Sequence, residues 1–480
     1  MAKPIAFGGV RLDVHAGQQT LTEEQPSWLR PDPEDPFRIL ILGNFSGRGA
    51  GTGKPIAIDR DNVDEVLRSL RVQAELKLGD ANIYRIAFQA MEDFEPDRIV
   101  DRSELFRRLD AEEEKAPHQP AKGRREEDER TVDLTKLSSG NLLDQILGKE
   151  DAKQNPGMPA KQSEDELQAM INKAIEPYLE RRPDASQTDR LADRERRRGS
   201  LLQAMLHDPS LQMLEAAWRS LEFLVQRLET DELLKLYVFD ISKEKLAADL
   251  LEDSDFRSSN TYRVIVEDSV RTSGAEPWAL LVGNYSFDRN EAKDIELLAS
   301  MGLLARAARA PLLAECLPSE SEDVSVSEAW QALRESSYAS WLGLALPRFL
   351  LRLPYGKDTV PMERFAFEEM PGTPEHNKYL WGNPAFACAY LMGRSFSELG
   401  WNFRPGVHLL IEGMPLHVFH ADGAARTQPC AEILLTETDC NELLDEGLMP
   451  LASVRDRDLV RLVRFQSIAD PPAGLSGRWA

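Results

Sequence analysis

The stretch FRILILGNFSGRGAGTGKP, residues 37–55, decides the class of fold. Ile39–Leu42 form an uninterrupted aliphatic run, which is typical of a strand buried on both faces of a sheet. Five glycines and Lys54 follow the run, and a phosphate-binding loop begins in a similar way. The stretch therefore predicts a strand of an α/β sheet and raises the question of nucleotide binding.

The loop departs from the phosphate-binding pattern G-x-x-x-x-G-K-[ST] at its first glycine and at its hydroxyl residue. When Gly53 and Lys54 are placed at the end of that pattern, Arg48 takes the first position and Pro55 the last. Pro55 also lacks the backbone N–H that would help to bind an anion at the start of a helix. We therefore predict a flexible loop and no bound nucleotide or other cofactor.

Strand and helix patterns alternate on both sides of this stretch, which indicates an α/β fold with mainly parallel or mixed sheets. Asp61 stands where it would cap a helix, and Asp208 and Pro209 stand where they would begin a long amphipathic one. The segment WALLVGNYSFDR, which begins at Trp278, repeats the order of an apolar strand, Gly-Asn, an aromatic residue and Ser. This echo of residues 37–48 favours two related α/β units.

Composition divides the chain into four parts. We predict a first α/β domain at 1–108, a linker at 109–199, a second α/β domain at 200–468 and a flexible tail at 469–480. The linker mixes charges of both signs and has few bulky apolar residues, so we expect it to be solvated and partly disordered. One short amphipathic helix at 138–150 is the exception, and it docks either on the chain's own core or on a partner. Its apolar residues are Leu142, Leu143, Ile146 and Leu147.

The net charge of −23 argues against binding to nucleic acid or to an anionic membrane surface. The N-terminal residues lack the layout of a signal peptide, and no apolar run is long enough to insert in a membrane. The four cysteines are scattered and are expected to be reduced thiols. These features predict a cytoplasmic protein.

No group of residues predicts catalysis or metal binding. His417 and His420 stand three apart in a strand-like segment, so their side chains are expected on opposite faces. The aspartate-rich segment DRDNVDEV, residues 59–66, lacks the ligand and the glycine that a calcium loop needs. There is no G-x-S-x-G motif, since the serine of GNFSG comes one position late. We predict no catalytic, cofactor-binding or metal-binding residue.

Several long segments, in sequence order, resemble the large subunit of the type VI secretion contractile sheath. They are LLQAMLHDPSLQMLEAAWRSLEFLV, LLKLYVFDISKEKLAADL, EPWALLVGNYSF, LRLPYGKDTVPMERFAFEE and HNKYLWGNPAFACAYLM. The N-terminal FRILILGNFSGR, with KPIAIDRDNVDEVL and DFEPDRIV, resembles the small sheath subunit. The resemblance covers about 1–108 and 138–468, and it implies that small and large subunits are fused in one polypeptide.

The resemblance implies a structural protein, not an enzyme, that self-associates into rings or a helical tube around an inner tube protein and contacts a baseplate. Family sheaths are joined by β-strand exchange, in which backbone hydrogen bonds link neighbouring subunits. The segment PIAFGGVRLDV stands where the small subunit's exchanged strand would be. The predicted interaction residues of this strand are Ile5, Phe7, Val10 and Leu12. The helix at 138–150 resembles the large subunit's N-terminal helix, which implies that an AAA+ unfoldase grips it during recycling of contracted sheath.

One departure from the family pattern keeps two alternatives open. Large subunits continue beyond the point that matches RFQSI with closing strands, whereas here ADPPAGLSGRWA follows, a Pro/Gly-rich segment not expected to form a strand. The first alternative is a sheath-homologous scaffold or accessory component that forms a small oligomer or a baseplate-associated complex without a long sheath. The second is an enzyme or nucleotide binder on a borrowed α/β scaffold.

Overall fold

A computed structural model shows the architecture. It describes residues 6–7, 10–11, 31–49, 53–77, 83–115, 185–252, 255–271, 276–318 and 324–479. The chain divides into two compact units, one of residues 1–106 and 195–480 and the other of residues 107–194. In the second unit, Arg194 donates a hydrogen bond to Asp110 Oδ1 at 3.1 Å. The sheet and the sites discussed below belong to the first unit.

Nine strands of the first unit form one mixed, mostly parallel sheet, which confirms the predicted α/β class. The strand predicted from FRILILG lies inside this sheet, and all its residues except Arg38 are buried. From edge to edge the strands are β13 (Leu410–Glu412), β17 (Leu459–Leu462), β16 (Met449–Ser453), β10 (Leu342–Leu346), β9 (Leu312–Cys316), β8 (Leu280–Phe287), β3 (Phe37–Gly43), β7 (Leu234–Asp240) and β4 (Ile56–Ile58).

The two strands of the sequence echo are neighbours in this sheet. β3 pairs in parallel with β8, with Ile39 opposite Leu280 and Leu42 opposite Gly283. On its other side, β3 pairs in parallel with β7 along its whole length, from Phe37 to Gly43. The part of the chain before the predicted linker, the N-terminal segment, therefore supplies the internal strand β3. The part after the linker, the C-terminal segment, supplies the strands on both sides of β3.

Helices cover both faces of the sheet because consecutive residues of a strand point to opposite sides. Ile39 and Ile41 belong to one buried cluster, whereas Leu40 and Leu42 belong to the other. The helices are α1 (Val63–Leu70), α2 (Pro96–Arg102), α3 (Glu104–Lys115), α4 (Ala185–Leu206), α5 (Pro209–Arg227), α6 (Lys243–Leu251), α7 (Ala292–Ala308), α8 (Val324–Arg334), α9 (Pro384–Leu399) and α10 (Glu437–Asp445). Helices α5 and α9 pack in the first cluster, and α6, α7 and α8 pack in the second.

One of the two predicted helix caps is confirmed and the other is wrong. Asp208 precedes α5, and its carboxylate accepts a hydrogen bond from the Ser210 amide, with Pro209 in the first turn. Asp61 does not cap α1, which begins at Val63 after Asn62. The reason is local, since Asp59 Oδ1 accepts from the Asp61 and Asn62 amides at 2.9 Å and forms a turn just before the helix.

Short two-stranded ladders lie outside the large sheet. They are β1 (Ala6–Phe7) with β2 (Val10–Arg11), β5 (Gln73–Lys77) with β6 (Ile83–Ala87), β11 (Phe349–Leu350) with β12 (Trp381–Gly382), and β14 (His417–Ala421) with β15 (Ala424–Gln428). The strand-like segment that contains His417 and His420 corresponds to β14.

The last residues differ from the expected flexible tail. Leu475 is 5% exposed, and the Trp479 ring lies 5.3 Å from the Phe403 ring. Arg478 Nη2 donates to Asp35 Oδ2 at 3.0 Å. The Pro/Gly composition correctly indicated that no regular strand would form here, but it carries no information about isolated large side chains that pack into a core.

Candidate functional site

The glycine-rich loop after β3 directs its amides to the protein's own side chains. Asp240 Oδ1 accepts hydrogen bonds from the Phe45 and Ser46 amides at 2.8 and 2.9 Å, and Asn44 Oδ1 accepts from the Gly49 amide at 2.9 Å. Asp240 is 2% exposed, so its carboxylate fills the position where loop amides would hold a phosphate. In the described part of this loop, these three amides are therefore bonded to side chains of the protein itself.

The glycines of this loop serve close packing. Gly47 has φ +73°, and a Cβ atom built there would lie 2.0 Å from the Gln73 carbonyl oxygen. Gly43 ends β3 where a Cβ would lie 2.9 Å from Asn284 Cβ on the neighbouring strand. Only glycine fits such approaches without a shift of the backbone. Close packing where the strands meet the loop therefore explains why glycine stands at Gly43 and Gly47.

A buried ion-pair network joins α5 to the segment after β11. Arg352 lies between two carboxylates, with Nε 2.8 Å from Glu215 Oε1 and Nη1 2.8 Å from Glu369 Oε2. Arg219 Nε lies 2.7 Å from the same Glu215 oxygen, and Arg219 Nη2 reaches Glu95 Oε1 at 3.1 Å. We call Glu95, Glu215, Arg219, Arg352 and Glu369 the buried ion network. It connects the N-terminal segment, through Glu95, to the C-terminal one.

The network favours the charged form of two of its carboxylates, Glu215 and Glu369. Burial by itself would raise the pKa of Glu369, but the charge of Arg352 and hydrogen bonds from neighbouring groups lower it to about 2. Burial likewise opposes ionisation of Glu215, and the two arginines outweigh it, so the pKa of Glu215 lies below its usual range. Such a buried cluster is structural in character, since its charged groups bond to one another.

Both edges of the large sheet are partly closed to further strands. At β13, the Arg227 guanidinium donates to the Glu412 and Gly413 carbonyls at 2.8 and 2.7 Å. At β4, Asn62 Nδ2 donates to the Ala57 carbonyl at 3.3 Å, and Pro55, just before the strand, has no N–H to offer. Short edge strands with occupied carbonyls discourage edge-to-edge pairing. These edges therefore do not favour assembly by the addition of strands from another chain to this sheet.

The residues predicted for strand exchange fall at the limit of the description. Phe7 and Val10 lie opposite each other in the β1–β2 ladder. Ile5 and Leu12 lie outside the described residues, as do the four apolar residues predicted for the recycling helix, Leu142, Leu143, Ile146 and Leu147. Strand exchange and recycling by an unfoldase stay predictions.

The two histidines of β14 differ in burial. His417 is 8% exposed, and its Nδ1 lies 2.7 Å from the Tyr379 hydroxyl, whereas His420 is exposed. Their different burial agrees with the predicted opposite faces.

All four cysteines are free and buried, and burial raises the pKa of Cys388 to about 12. Within the described ranges, no three His, Cys, Asp or Glu side chains are grouped as metal ligands, and no helix is long and apolar enough to span a membrane.

Sequence reasoning missed the buried ion network, although one signal was available. Glu215 stands on the apolar stripe of α5, beside Leu214 and Trp218, and Arg219 follows it at helical spacing. A charged residue on a buried stripe needs a partner of opposite charge. The other partners, Arg352 and Glu369, are remote in the sequence, and nothing local identifies them.

Comparison with known proteins agrees with the resemblance inferred from the residues. The family model described as "EvpB/VC_A0108, tail sheath N-terminal domain", named VipB, matches residues 191–469, more than half of the chain. The model described as "Type VI secretion system, VipA, VC_A0107 or Hcp2" matches residues 30–115. The type VI secretion system sheath protein TssC1 of Pseudomonas aeruginosa is 35% identical over a 290-residue alignment that covers 56% of this chain. The chain spans 58% of the length of TssC1.

The matched ranges also agree with the fold. The VipA-type match contains β3, and the VipB-type match contains β7 and β8, between which β3 lies. The chain therefore belongs to the type VI secretion tail sheath family and fuses a VipA-type segment to a VipB-type segment in one polypeptide.

Proposed function

We propose that this protein is a non-enzymatic structural subunit of a type VI secretion-like contractile sheath, which assembles into rings or a helical tube around an inner tube protein. The observation that carries the proposal is the shared sheet, in which an internal VipA-type strand pairs on both sides with VipB-type strands. Other copies of the chain, the inner tube protein and a baseplate are its proposed partners, and the cytoplasm is its proposed location. An AAA+ unfoldase that grips residues 138–150 is a further proposed partner.

A second candidate is a scaffold or accessory component that forms small closed oligomers. The partly closed edges at β13 and β4 favour it, because they leave little room for another chain to extend the large sheet. Negative-stain electron microscopy of the purified full-length protein separates the two. Long cross-striated tubes support the sheath subunit, and small closed oligomers alone support the scaffold.

We predict that the double substitution Phe7→Asp with Val10→Asp abolishes tubes but leaves the protein folded. The two residues are paired in the β1–β2 ladder, and two added carboxylates there would oppose the addition of these strands to a neighbour. Electron microscopy measures the tubes, and circular dichroism monitors the fold. The matched control is Ile83→Asp, which adds a carboxylate at a residue that is already 53% exposed. Tubes of normal length in the double variant would contradict strand exchange through these residues.

We predict that the two segments stay together when the chain between them is cut. β3 is bonded along its whole length to β7 and on its other side to β8, so separation of the segments requires breaking the interior of the sheet. A specific protease site inserted after Asn155 allows the cut in the purified protein. Size-exclusion chromatography in native buffer should return both fragments in one peak, and guanidinium chloride should separate them. Separate peaks in native buffer would show that the segments are independent domains.

We predict that deletion of residues 138–150 leaves folding and assembly intact, because we propose that this helix serves recycling. The thermal unfolding midpoint and the electron micrographs are the measurements. An equally long deletion at 116–128 is the control for the shortened connection. If only the deletion of 138–150 lowers the midpoint, the helix is part of the core and not a handle.

A further inference from the structure

Two buried carboxylates share one arginine at the carboxyl ends of the parallel strands. Glu315, near the end of β9, is 4% exposed, and the side chain of Glu432 is 8% exposed. Arg348 binds Glu432 in a bidentate pair, with Nε 2.8 Å from Oε2 and Nη2 2.5 Å from Oε1. The same Nε lies 3.8 Å from Glu315 Oε1, and Ser286 Oγ donates to Glu315 Oε2 at 2.8 Å.

Among the other charged groups around this cluster, Lys243 also favours the charged form of Glu315, but it binds other groups. Lys243, on α6, has its Nζ 2.6 Å from Asp294 Oδ1 and donates to the Ser286 carbonyl at 2.6 Å. His376 Nε2 lies 3.4 Å from Glu432 Oε1, and its side chain is 55% exposed. The remaining titratable neighbour is the buried thiol of Cys316, the next residue along β9. Two carboxylates therefore compete for Arg348.

Buried like charges at such a site are relieved when one of them takes up a proton. We propose that Glu315 binds a proton while Glu432 stays paired with Arg348, and that release of this proton loosens the loop 430–436. While Glu315 is protonated, Arg348 forms an ion pair with Glu432 alone. When the proton is released, the two carboxylates repel each other, and Arg348 interacts with both of them.

The location of Glu432 determines which part of the protein responds. Backbone hydrogen bonds hold the loop before this residue, from Leu350 N to the Cys430 carbonyl and from Glu432 N to the Arg348 carbonyl. After it come Ile433 and Leu434, which are 40% and 48% exposed, and then the start of α10. The Arg348–Glu432 pair is thus the last described side-chain anchor before two exposed aliphatic residues. The proton would control how firmly this apolar surface is held.

The electrostatics of Glu315 support this assignment. Burial, and to a smaller extent the charge of Glu432, raise the pKa of Glu315 to about 7, and Arg348, Ser286 and Lys243 only partly oppose the rise. A carboxyl group with a raised pKa in the folded protein binds its proton more tightly than in the unfolded chain. The contribution of this group to the stability of the fold is therefore fully present below its ordinary pKa of 4.5 and is lost as the pH rises through about 7.

Hydrogen exchange of the full-length protein at pH 6 and pH 8, corrected for intrinsic base catalysis, tests the proposal. Protection of the amides in 430–436 should fall by about 5- to 10-fold between the two pH values, since Glu315 passes from mostly protonated to mostly ionised. Glu315→Gln, which cannot ionise, should remove this difference. Glu398→Gln is the matched control, because it changes an exposed carboxylate that also pairs with an arginine and a histidine.

A second variant keeps the test independent of how well Glu315→Gln folds. Ser286→Ala removes a hydrogen bond that favours the ionised carboxylate, so the midpoint of the protection change should move to higher pH. Equal protection at pH 6 and pH 8 in the wild type would overturn the proposal. So would a wild-type difference that persists unchanged in Glu315→Gln. The proposal concerns the folded chain alone and stands or falls separately from assembly into a sheath.

Discussion

Replacing Arg352 by Met is expected to lower the free energy of unfolding by about 3–5 kcal/mol. The substitution keeps most of the side-chain volume and removes the guanidinium that bonds both Glu215 and Glu369. Those two carboxylates are 1% exposed and cannot be rehydrated in place. Glu215 retains Arg219, so the larger part of the loss is expected from Glu369. Guanidinium chloride unfolding, followed by circular dichroism, measures the effect.

The matched control is Arg394→Met, which makes the same chemical change at an exposed ion pair. Arg394 and Glu398 on α9 are 44% and 49% exposed, so their pair is expected to contribute little to stability. A second variant, Arg352→Met with Glu369→Gln, removes the uncompensated charge and should recover about half of the loss. Equal effects of the two arginine substitutions would contradict the role given to the buried ion network.

The stability that Glu369 contributes through Arg352 should decrease at acidic pH. The pKa of Glu369 is lowered to about 2, so its contribution is complete above its ordinary value of 4.5 and is lost as the pH falls toward 2. The difference in stability between the wild type and Arg352→Met should therefore shrink over that acidic range. It should stay constant between pH 6 and pH 8, where Glu315 changes its charge in both proteins.

The local features of the fold were predictable because they depend on residues close together in the sequence. The aliphatic run Ile39–Leu42 predicted a buried strand, and Asp208 with Pro209 predicted the start of α5; both are confirmed. The false cap at Asp61 shows the limit of this reasoning. Asp59, Asp61 and Asn62 stand just before α1, and which of them takes the cap position depends on turn geometry that spacing alone does not define.

Strand order was not predictable in the same way. Connected elements usually lie next to each other, and by that rule β3 should neighbour strands of its own segment. Its actual neighbours, β7 and β8, come from the other side of the long charged region. The echo between GNFS and GNYS indicated that the two strands are related, but periodicity contains no information about which strands pair. The buried carboxylates were missed for the same reason, since Arg352, which binds Glu215, and Arg348, which lies beside Glu315, are remote from them in sequence.

Replacing Trp218 by Ala is expected to lower the free energy of unfolding by about 3–5 kcal/mol and to weaken the junction between the two segments. Trp218 on α5 is fully buried, and its indole N–H donates to the Phe45 carbonyl at 2.8 Å, in the loop after β3. The two rings also meet edge to face, with centroids 6.1 Å apart. The loss thus combines a cavity with a buried carbonyl left unpaired.

Trp218→Phe separates these two contributions. Phenylalanine keeps most of the ring contact with Phe45 but has no N–H, so a loss of about 1–3 kcal/mol is expected from the unpaired carbonyl. Met213→Ala is the control on the same helix, because Met213 is 68% exposed and its truncation should change stability by less than about 0.5 kcal/mol. In the protein cut after Asn155, Trp218→Ala should also lower the guanidinium chloride concentration at which the fragments separate. A loss below 1 kcal/mol for the alanine variant, or an unchanged separation, would contradict the view that the GNFS loop joins the VipA-type segment to α5.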